Sequence, residues 1–243
     1  MEIFNDETLE DLQTDGLYLI QKKTGFRFGA DAVLLAYFAK DIVSKKTLDL
    51  CTGSAVIPIL LSAKTKTEQI FGIEIQKSIF DTAVRSVAFN NLESRIFLTF
   101  GDLKNAVSIY GKRQFDLITC NPPYIESGSG IQNPDDEKVI ARHEVLCTLE
   151  DVISTSSLLL KHKGHLALVH KPSRLADIIY LMRENGLEPK RIRFIHKSQD
   201  SEPSLVLVDA SFKGGKELRV MPPLYIYNED GSLTKQIREV YGR

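Results

Sequence analysis

Short apolar runs alternate with stretches of helical spacing along most of this chain, and the alternation predicts strands and helices in turn. The predicted strands are Thr47–Leu50, Gln69–Ile73, Arg95–Phe100, Phe115–Cys120 and Gly164–His170. The predicted helices are Val56–Ala63, Gln76–Asn91, Thr148–His162 and Pro172–Asn185. Strands separated by helices of this length indicate an α/β fold with a doubly wound, Rossmann-like parallel sheet.

Both flanks of the alternating region have patterns of their own. Apolar runs at Ile192–His196 and Ser204–Phe212 are joined by a polar turn, which predicts an antiparallel hairpin closing the sheet edge. Ahead of the region, an apolar run at Leu17–Ile20 precedes a helix predicted over Ala32–Asp41. We therefore expect a mostly parallel sheet with a C-terminal antiparallel hairpin.

Length and composition are those of an ordinary globular protein. The 243 residues can bury a full core as one α/β domain with an appendage. No apolar stretch reaches the roughly 18 residues of a membrane span, and no basic-then-apolar leader opens the chain. We expect a cytoplasmic protein with no membrane partner. Cys51, Cys120 and Cys147 lack metal-ligand spacing, so we expect reduced thiols and no metal.

Charge is distributed unevenly. Residues 161–243 hold 15 lysines and arginines against 10 aspartates and glutamates, whereas the rest of the chain is acidic. A basic C-terminal third suits contact with a polyanion, although a solvated surface gives the same pattern.

Acidic residues stand at or just after the ends of the first three predicted strands of the sheet. In open parallel sheets, ligands bind beyond the carboxyl ends of the strands. Asp49 suits an ammonium group, Glu74 suits both hydroxyls of a ribose, and Asp102 suits the exocyclic amine of an adenine. One acid alone is most often a helix cap, but three acids at successive strand ends are hard to assign to capping. S-adenosylmethionine has all three of the matching parts: an ammonium group, a ribose and an adenine. The sequence therefore predicts S-adenosylmethionine as cofactor.

The loop after the first strand, Cys51–Ala55, is made of small residues that let the backbone approach a ligand. The dinucleotide pattern G-x-G-x-x-G is absent, and Asp49 would repel a pyrophosphate. A hydride-transferring dehydrogenase is therefore disfavoured.

The fourth predicted strand is followed by Asn121-Pro122-Pro123-Tyr124. Two consecutive prolines remove two backbone donors and hold the chain extended, which leaves carbonyl oxygens free beside an amide and a ring. A Pro-rich turn is the alternative. The preferred interpretation is that a planar amino group donates to these oxygens while the ring stacks on its plane.

These motifs resemble the class I S-adenosylmethionine-dependent methyltransferases, within them the amino-methylating branch with the Asn-Pro-Pro-Tyr motif. The chain is most similar to the bacterial tRNA (adenine-N6)-methyltransferases that modify adenine 37 of a valine tRNA. Further matching segments are Phe26–Leu35, Ala141–Glu144, His170–Leu175 and Pro222–Tyr227.

The resemblance implies roles for particular residues. The implied catalytic residues are Asn121, Pro122, Pro123 and Tyr124. The implied cofactor-binding residues are Phe28, Asp31, Asp49, Cys51, Thr52, Gly53, Glu74, Ile75, Gly101, Asp102, Leu103 and Asn121. The implied contacts to tRNA are Tyr124, Arg142, His143, Lys171 and Arg174. The four residues other than Tyr124 could equally be solvated charges or helix-start residues. Asp31 could instead cap its own helix, and His170 could be a packed core histidine.

The implied architecture has two parts. Residues 1–44 form a strand and helix extension packing on the cofactor site, and residues 45–243 form the methyltransferase domain. One departure from the family stands in the first loop, where Cys51 and Ala55 replace the glycine of many members. Ala55 is expected to crowd the methionine part of the cofactor and alter its affinity.

The reaction implied by the resemblance depends on alignment of the amino group with the methyl group more than on a catalytic base. An adenine amino group donating to the Asn121 side-chain oxygen and the Pro122 carbonyl is drawn toward tetrahedral geometry, so that its lone pair faces the sulfonium methyl. Tyr124 stacks on the base. Two other acceptors fit the same motif: a glutamine of a release factor and a guanine amino group of ribosomal RNA. A non-catalytic cofactor- or RNA-binding module is a further alternative.

Overall fold

A nine-stranded sheet runs through the centre of the protein, in a computed structural model that describes residues 3–24, 29–123 and 147–242. The strands before the site are β1 (Glu7–Asp11), β2 (Tyr18–Lys22), β3 (Lys46–Leu50), β4 (Gln69–Glu74), β5 (Ile96–Phe100) and β6 (Phe115–Cys120). The later strands are β7 (Leu160–His170), β8 (Leu187–His196), β9 (Pro203–Phe212), β10 (Arg219–Val220) and β11 (Leu224–Tyr225).

The order across the sheet is β10-β8-β9-β7-β6-β3-β4-β5, with β11 also paired to β8. Strands β5, β4, β3, β6 and β7 are parallel, and β9 is antiparallel to both β7 and β8. The order reverses between β3 and β6, which is where ligands bind in doubly wound sheets. The predicted mostly parallel sheet with a C-terminal antiparallel hairpin is confirmed. The hairpin does not form the sheet edge, however, because β10 and β11 pair with the outer side of β8.

Helices cover both faces of the sheet. They are α1 (Ala30–Ala39), α2 (Val56–Lys64), α3 (Lys77–Phe89), α4 (Ala106–Tyr110), α5 (Leu149–Leu159), α6 (Leu175–Glu184) and α7 (Lys235–Val240). Successive side chains of a strand point to opposite faces, so Leu117 packs in the core with α1 and α2, whereas Ile118 packs in the core with α5 and α6. None of the helices in the described ranges has the length and apolarity that crossing a membrane requires.

The N-terminal strands form a separate antiparallel pair that lies against α3. Asn90 of α3's C-terminus holds the Tyr18 backbone through its Oδ1, at 2.9 Å from the amide nitrogen, and its Nδ2, at 2.7 Å from the carbonyl oxygen. Glu7 of β1 is buried and paired with Arg85. The sequence analysis did not predict β1, whose Glu-Thr-Leu-Glu-Asp run is mostly polar. The division of the chain at residue 44 stays a prediction.

The predicted helix from Thr148 to His162 is too long. It begins as expected, with a reciprocal capping box between Thr148 and Asp151, but ends at Leu159. Strand β7 follows without a loop because Leu160 pairs with Phe115 of β6, and an irregularity then restores the register. Pairing with β6 therefore overrides the helical spacing of this segment. The short helices α4 and α7 were also not predicted.

Candidate active site

A pocket opens at the carboxyl ends of β6, β3, β4 and β5. Nine of the predicted site residues line it: Cys51, Gly53, Glu74, Ile75, Gly101, Asp102, Leu103, Asn121 and Pro123. Its other walls include Gln76, Ile79 and Cys147, which the sequence analysis did not assign to a site. Gln76 is the N-cap of α3 and Ile79 lies in its first turn, shortly after Glu74, so the helix following an acidic strand end was the signal that could have found them.

The remaining predicted residues lie elsewhere. Asp31 begins α1, where its Oδ1 accepts from the Ala32 amide at 2.9 Å, so it takes part in its own helix start. Lys171 and Arg174 follow β7, and the exposed Arg174 pairs with Asp177 at 2.7 Å. Pro122 is buried between two residues that line the pocket. The predicted residues Phe28, Tyr124, Arg142 and His143 lie outside the described ranges.

Asp49 lies near the end of β3 and is fully buried. Thr119 of β6 donates to its Oδ1 at 2.6 Å, whereas its Oδ2 has no hydrogen-bond partner in the part of the chain that the structure describes. Burial raises the pKa of this carboxyl to about 7; Glu74 adds to the rise, and the Thr119 and Thr52 hydroxyls oppose it. A buried acid with one free oxygen is suited to a cationic ligand group, which would hold it in the charged form.

Glu74, the last residue of β4, is held by backbone donors. The Gly53 amide donates to its Oε2 at 2.9 Å, and the Gln76 amide donates to its Oε1 at 2.8 Å. Because each carboxylate oxygen can accept a second hydrogen bond, both remain able to receive a hydroxyl. This fixed orientation fits a vicinal diol such as that of a ribose.

The loop between β3 and α2 turns through three left-handed residues: Cys51 at φ 56°, Gly53 at φ 55° and Ala55 at φ 68°. Glycine adopts this region without strain, whereas Cys51 and Ala55 are held in it at a cost. Ala55 is fully buried in the core under α2 and does not line the pocket. An alanine at this position therefore strains the backbone but takes no space from the cofactor pocket. The expected crowding of the cofactor is not seen.

Asn121 directly follows β6, and its side-chain Oδ1 is buried without a hydrogen-bond partner among residues 3–24, 29–123 and 147–242. A buried amide oxygen is normally paired, since leaving it unpaired costs about 1–3 kcal/mol. Pro122 and Pro123 cannot donate to it because they lack N–H groups. This edge of the pocket therefore presents a hydrogen-bond acceptor that has no donor among the described residues.

Asp102 and His170 serve partly structural roles. Asp102 Oδ1 accepts from the Lys104 amide at 2.9 Å and so caps the short 3-10 turn Leu103–Asn105. His170 is buried, and burial, helped by the positive charges of Arg174 and Lys171, lowers its pKa to about 4. Its Nδ1 accepts from the Lys171 amide at 2.8 Å, as expected of a neutral packed histidine.

Comparisons with known proteins match the chain to a methyltransferase family. The family model of the methyltransferase small domain matches residues 28–180. A tRNA1(Val) (adenine(37)-N6)-methyltransferase of Porphyromonas gingivalis is 30% identical over 193 residues, covering 77% of this chain and 75% of that protein. A protein of the same name from Phocaeicola vulgatus is 24% identical over 219 residues, covering 88% of this chain and 91% of that protein.

Solved structures of similar fold extend the comparison. A predicted O-methyltransferase from Agrobacterium tumefaciens aligns with a TM-score of 0.70 at 21% identity, covering 87% of this chain and 95% of that chain. Pyrococcus horikoshii TYW2 in complex with MeSAdo aligns with a TM-score of 0.62 at 13% identity, covering 87% of this chain and 73% of that chain. At these identities the likeness concerns the fold. Because the family model spans more than half of the residues, this chain belongs to the methyltransferase small domain family.

Proposed function

We propose that this protein transfers a methyl group from S-adenosylmethionine to N6 of an adenine in tRNA, with adenine 37 of a valine tRNA as the target. The observation that carries the proposal is the buried, unpartnered Oδ1 of Asn121 at the pocket edge, within the described part of the chain. The names of the relatives from Porphyromonas gingivalis and Phocaeicola vulgatus support the choice of substrate. A tRNA substrate implies work in the cytoplasm.

The site fits the cofactor part by part, although Asp49 itself is buried and does not line the pocket. The free Oδ2 of Asp49 suits the ammonium of the methionine end, and Glu74 suits the ribose diol. Ile75, Ile79 and Leu103 give the pocket apolar walls that fit an adenine ring. The same site does not suit a pyrophosphate, since Asp49 and Glu74 would repel it. When bound, S-adenosylmethionine supplies an electrophilic methyl group on a sulfonium.

The protein's own part in the reaction is to orient the acceptor. The amino group of the target adenine donates to Asn121 Oδ1 and to the Pro122 carbonyl, which pulls its nitrogen toward tetrahedral geometry. This bonding localises the lone pair and aims it at the cofactor. Alignment of this kind contributes up to roughly 7–11 kcal/mol in favourable cases. No base is required before transfer, because the nitrogen becomes acidic afterwards and releases its proton to solvent.

Recognition of the RNA extends beyond the target base. An adenine in an anticodon loop leaves its stack at low cost, and Tyr124 would stack on it as aromatic platforms do for single-stranded bases. Lys171 and Arg174 follow β7, the strand beside β6, so they stand next to Asn121 in the sheet order. We assign them, with Arg142 and His143, to contacts with the phosphate backbone. Residues 1–44 would flank the cofactor site.

The test is methyl transfer from labelled S-adenosylmethionine to tRNA from cells that lack this modification, followed by nucleoside analysis. We expect labelled N6-methyladenosine with the unaltered protein and at least a hundredfold less with Asn121→Ala, as for the loss of an interaction specific to the transition state. Asn5→Ala, an exposed change at the N-terminal end, is the control and should retain activity. Cofactor binding without RNA labelling would overturn the proposal and direct attention to a protein glutamine.

A further inference from the structure

All three cysteines of the chain meet at the cofactor pocket, although 96 residues separate Cys51 from Cys147. Cys51 begins the left-handed loop after β3, and Cys147 stands directly before the capping box of α5. Their sulfur atoms are 3.8 Å apart, and both side chains line the pocket. Cys120, the last residue of β6, is fully buried and contacts the Cys51 thiol from below.

The three reduced thiols are held in the un-ionised form. The contact with Cys120 and then burial raise the pKa of Cys51, and the contact with Cys51 raises the pKa of Cys147. Burial also raises the pKa of Cys120. A metal site does not account for the cluster, because the described ranges contain no metal-ligating group of His, Cys, Asp and Glu. Structural packing alone would not require two partly exposed thiols in contact with each other at the wall of a ligand pocket.

We propose that Cys51 and Cys147 are a covalent modification site, at which oxidation by a low-molecular-weight disulfide joins them and closes the pocket to the cofactor. In the first step a protein thiol loses its proton and attacks the small disulfide, forming a mixed disulfide and releasing one thiolate. In the second step the other protein thiol attacks the protein sulfur of that bond and releases a second thiolate. Two protein thiols are oxidised, and one small disulfide is reduced to two thiols.

The geometry favours this pair over the other pairings. The two sulfurs are 3.8 Å apart and a disulfide bond is about 2.05 Å long, so they must approach by roughly 1.8 Å. Cys51 and Cys147 both lie outside the strands and helices. Cys120 belongs to β6, whose backbone is bonded to β3 and β7, so it is held more firmly. The bridge would fix the residue before α5 to the loop that carries Gly53.

The consequence for the cofactor rests on the proposed function, whereas the bridge itself does not. The full chain is incubated with excess oxidised glutathione, and in parallel with a reductant. Peptide mapping without reduction identifies the bond, and titration with S-adenosylmethionine gives the affinity. We expect a Cys51–Cys147 peptide and an affinity lower by about tenfold or more, restored by reduction.

Matched variants separate the bridge from other oxidation. Cys120→Ser should still form the Cys51–Cys147 bond, and Cys147→Ser should bind the cofactor equally with and without oxidant. A bond between Cys51 and Cys120, mixed disulfides alone, or a mapped bridge with unchanged affinity would each overturn the proposal. If the oxidised protein forms the bridge but the reduced protein does not bind S-adenosylmethionine, the cofactor assignment would be overturned instead.

Discussion

Thr119 donates a 2.6 Å hydrogen bond to Asp49 from the neighbouring strand, and both side chains are completely buried. The two residues are aligned in the parallel pairing of β6 with β3, at the reversal of the strand order. The bond occupies one oxygen of the carboxyl and holds the other, Oδ2, ready for a cation. It therefore links the strand that ends in Asn121 to the acid assigned to the cofactor.

Replacing Thr119 by valine removes this bond with little change in shape. The pKa of Asp49, which the Thr119 hydroxyl lowers, should rise further, so that less of the carboxyl is charged at neutral pH. Loss of a hydrogen bond to a charged group costs about 1.5–3 kcal/mol, which predicts roughly tenfold to hundredfold weaker cofactor binding by calorimetry. Thr82→Val, a buried change on α3, is the control. Equal losses of cofactor affinity in Thr119→Val and Thr82→Val would show that the Thr119 hydrogen bond has no specific role in cofactor binding.

The unliganded protein should lose stability as pH rises. The pKa of Asp49 goes from 3.8 to about 7 on folding, so between these values the folded chain holds a proton that the unfolded chain has released. The free energy of unfolding therefore falls with rising pH across this window. In Asp49→Asn that contribution disappears, and the difference from the unaltered protein should grow toward neutral pH. Urea denaturation across the window checks this, and parallel curves would contradict it.

Cofactor affinity should show the opposite trend. A charged Asp49 attracts the ammonium of S-adenosylmethionine, so affinity should increase as pH rises through about 7. Asp49→Asn should bind more weakly and lose most of that rise, as measured by titration at several pH values. An unaltered pH profile in Asp49→Asn would assign the ammonium to another group.

Gly53→Ala should separate a backbone effect from a pocket effect. Gly53 has φ 55°, and an added methyl would meet no protein atom within 4 Å. The left-handed conformation costs an alanine about 1–2 kcal/mol of stability. Gly16→Ala is a matched control, because Gly16 has φ 68° and equally open surroundings away from the pocket. We expect similar destabilisation in both variants and weaker cofactor binding only in Gly53→Ala; weaker binding in both would contradict this.

Thr148→Ala should destabilise the helix start beside the pocket. The Thr148 hydroxyl accepts from the Asp151 amide at 3.1 Å, and Asp151 Oδ2 accepts from the Thr148 amide at 2.9 Å. Losing such a cap costs about 1 kcal/mol, measurable by urea denaturation. Ser154→Ala within the same helix should be nearly neutral, since its hydroxyl bonds back to the Glu150 carbonyl at 2.7 Å and to the Asp151 carbonyl at 3.4 Å. Equal costs would show that the cap contributes little.

The apolar periodicity predicted the sheet well because its central strands are buried on both faces. Phe115–Cys120 was predicted with its observed bounds. The acids at the ends of β3 and β4 lie close enough for Glu74 to help raise the pKa of Asp49. Where the sequence analysis failed, long-range contacts decide the structure. Leu160 leaves the helix because β6 offers it a partner, and β1 is stabilised by pairing with β2 rather than by its own apolar residues.

The site was predicted as a set of strand ends and less well as a set of contacts. Neither the bond from Thr119 nor the meeting of the three thiols has a local signal, because their spacing along the chain is irregular. The only sequence signal for the left-handed conformation of Ala55 was that alanine stands where the resemblance implies glycine. Short-range chemistry is thus readable from the sequence, whereas pairing across distant strands requires the fold.

The two short strands β10 and β11 cover the outer side of β8. The Met221 amide donates to the Ile192 carbonyl at 2.8 Å, and the Ile226 amide donates to the His196 carbonyl at 2.9 Å. Between the strands stand Pro222 and Pro223, which interrupt the ladder so that no long edge is offered in turn. The C-terminal segment thereby protects the sheet from pairing edge to edge with other molecules, and a chain shortened before Arg219 should aggregate more than the full chain.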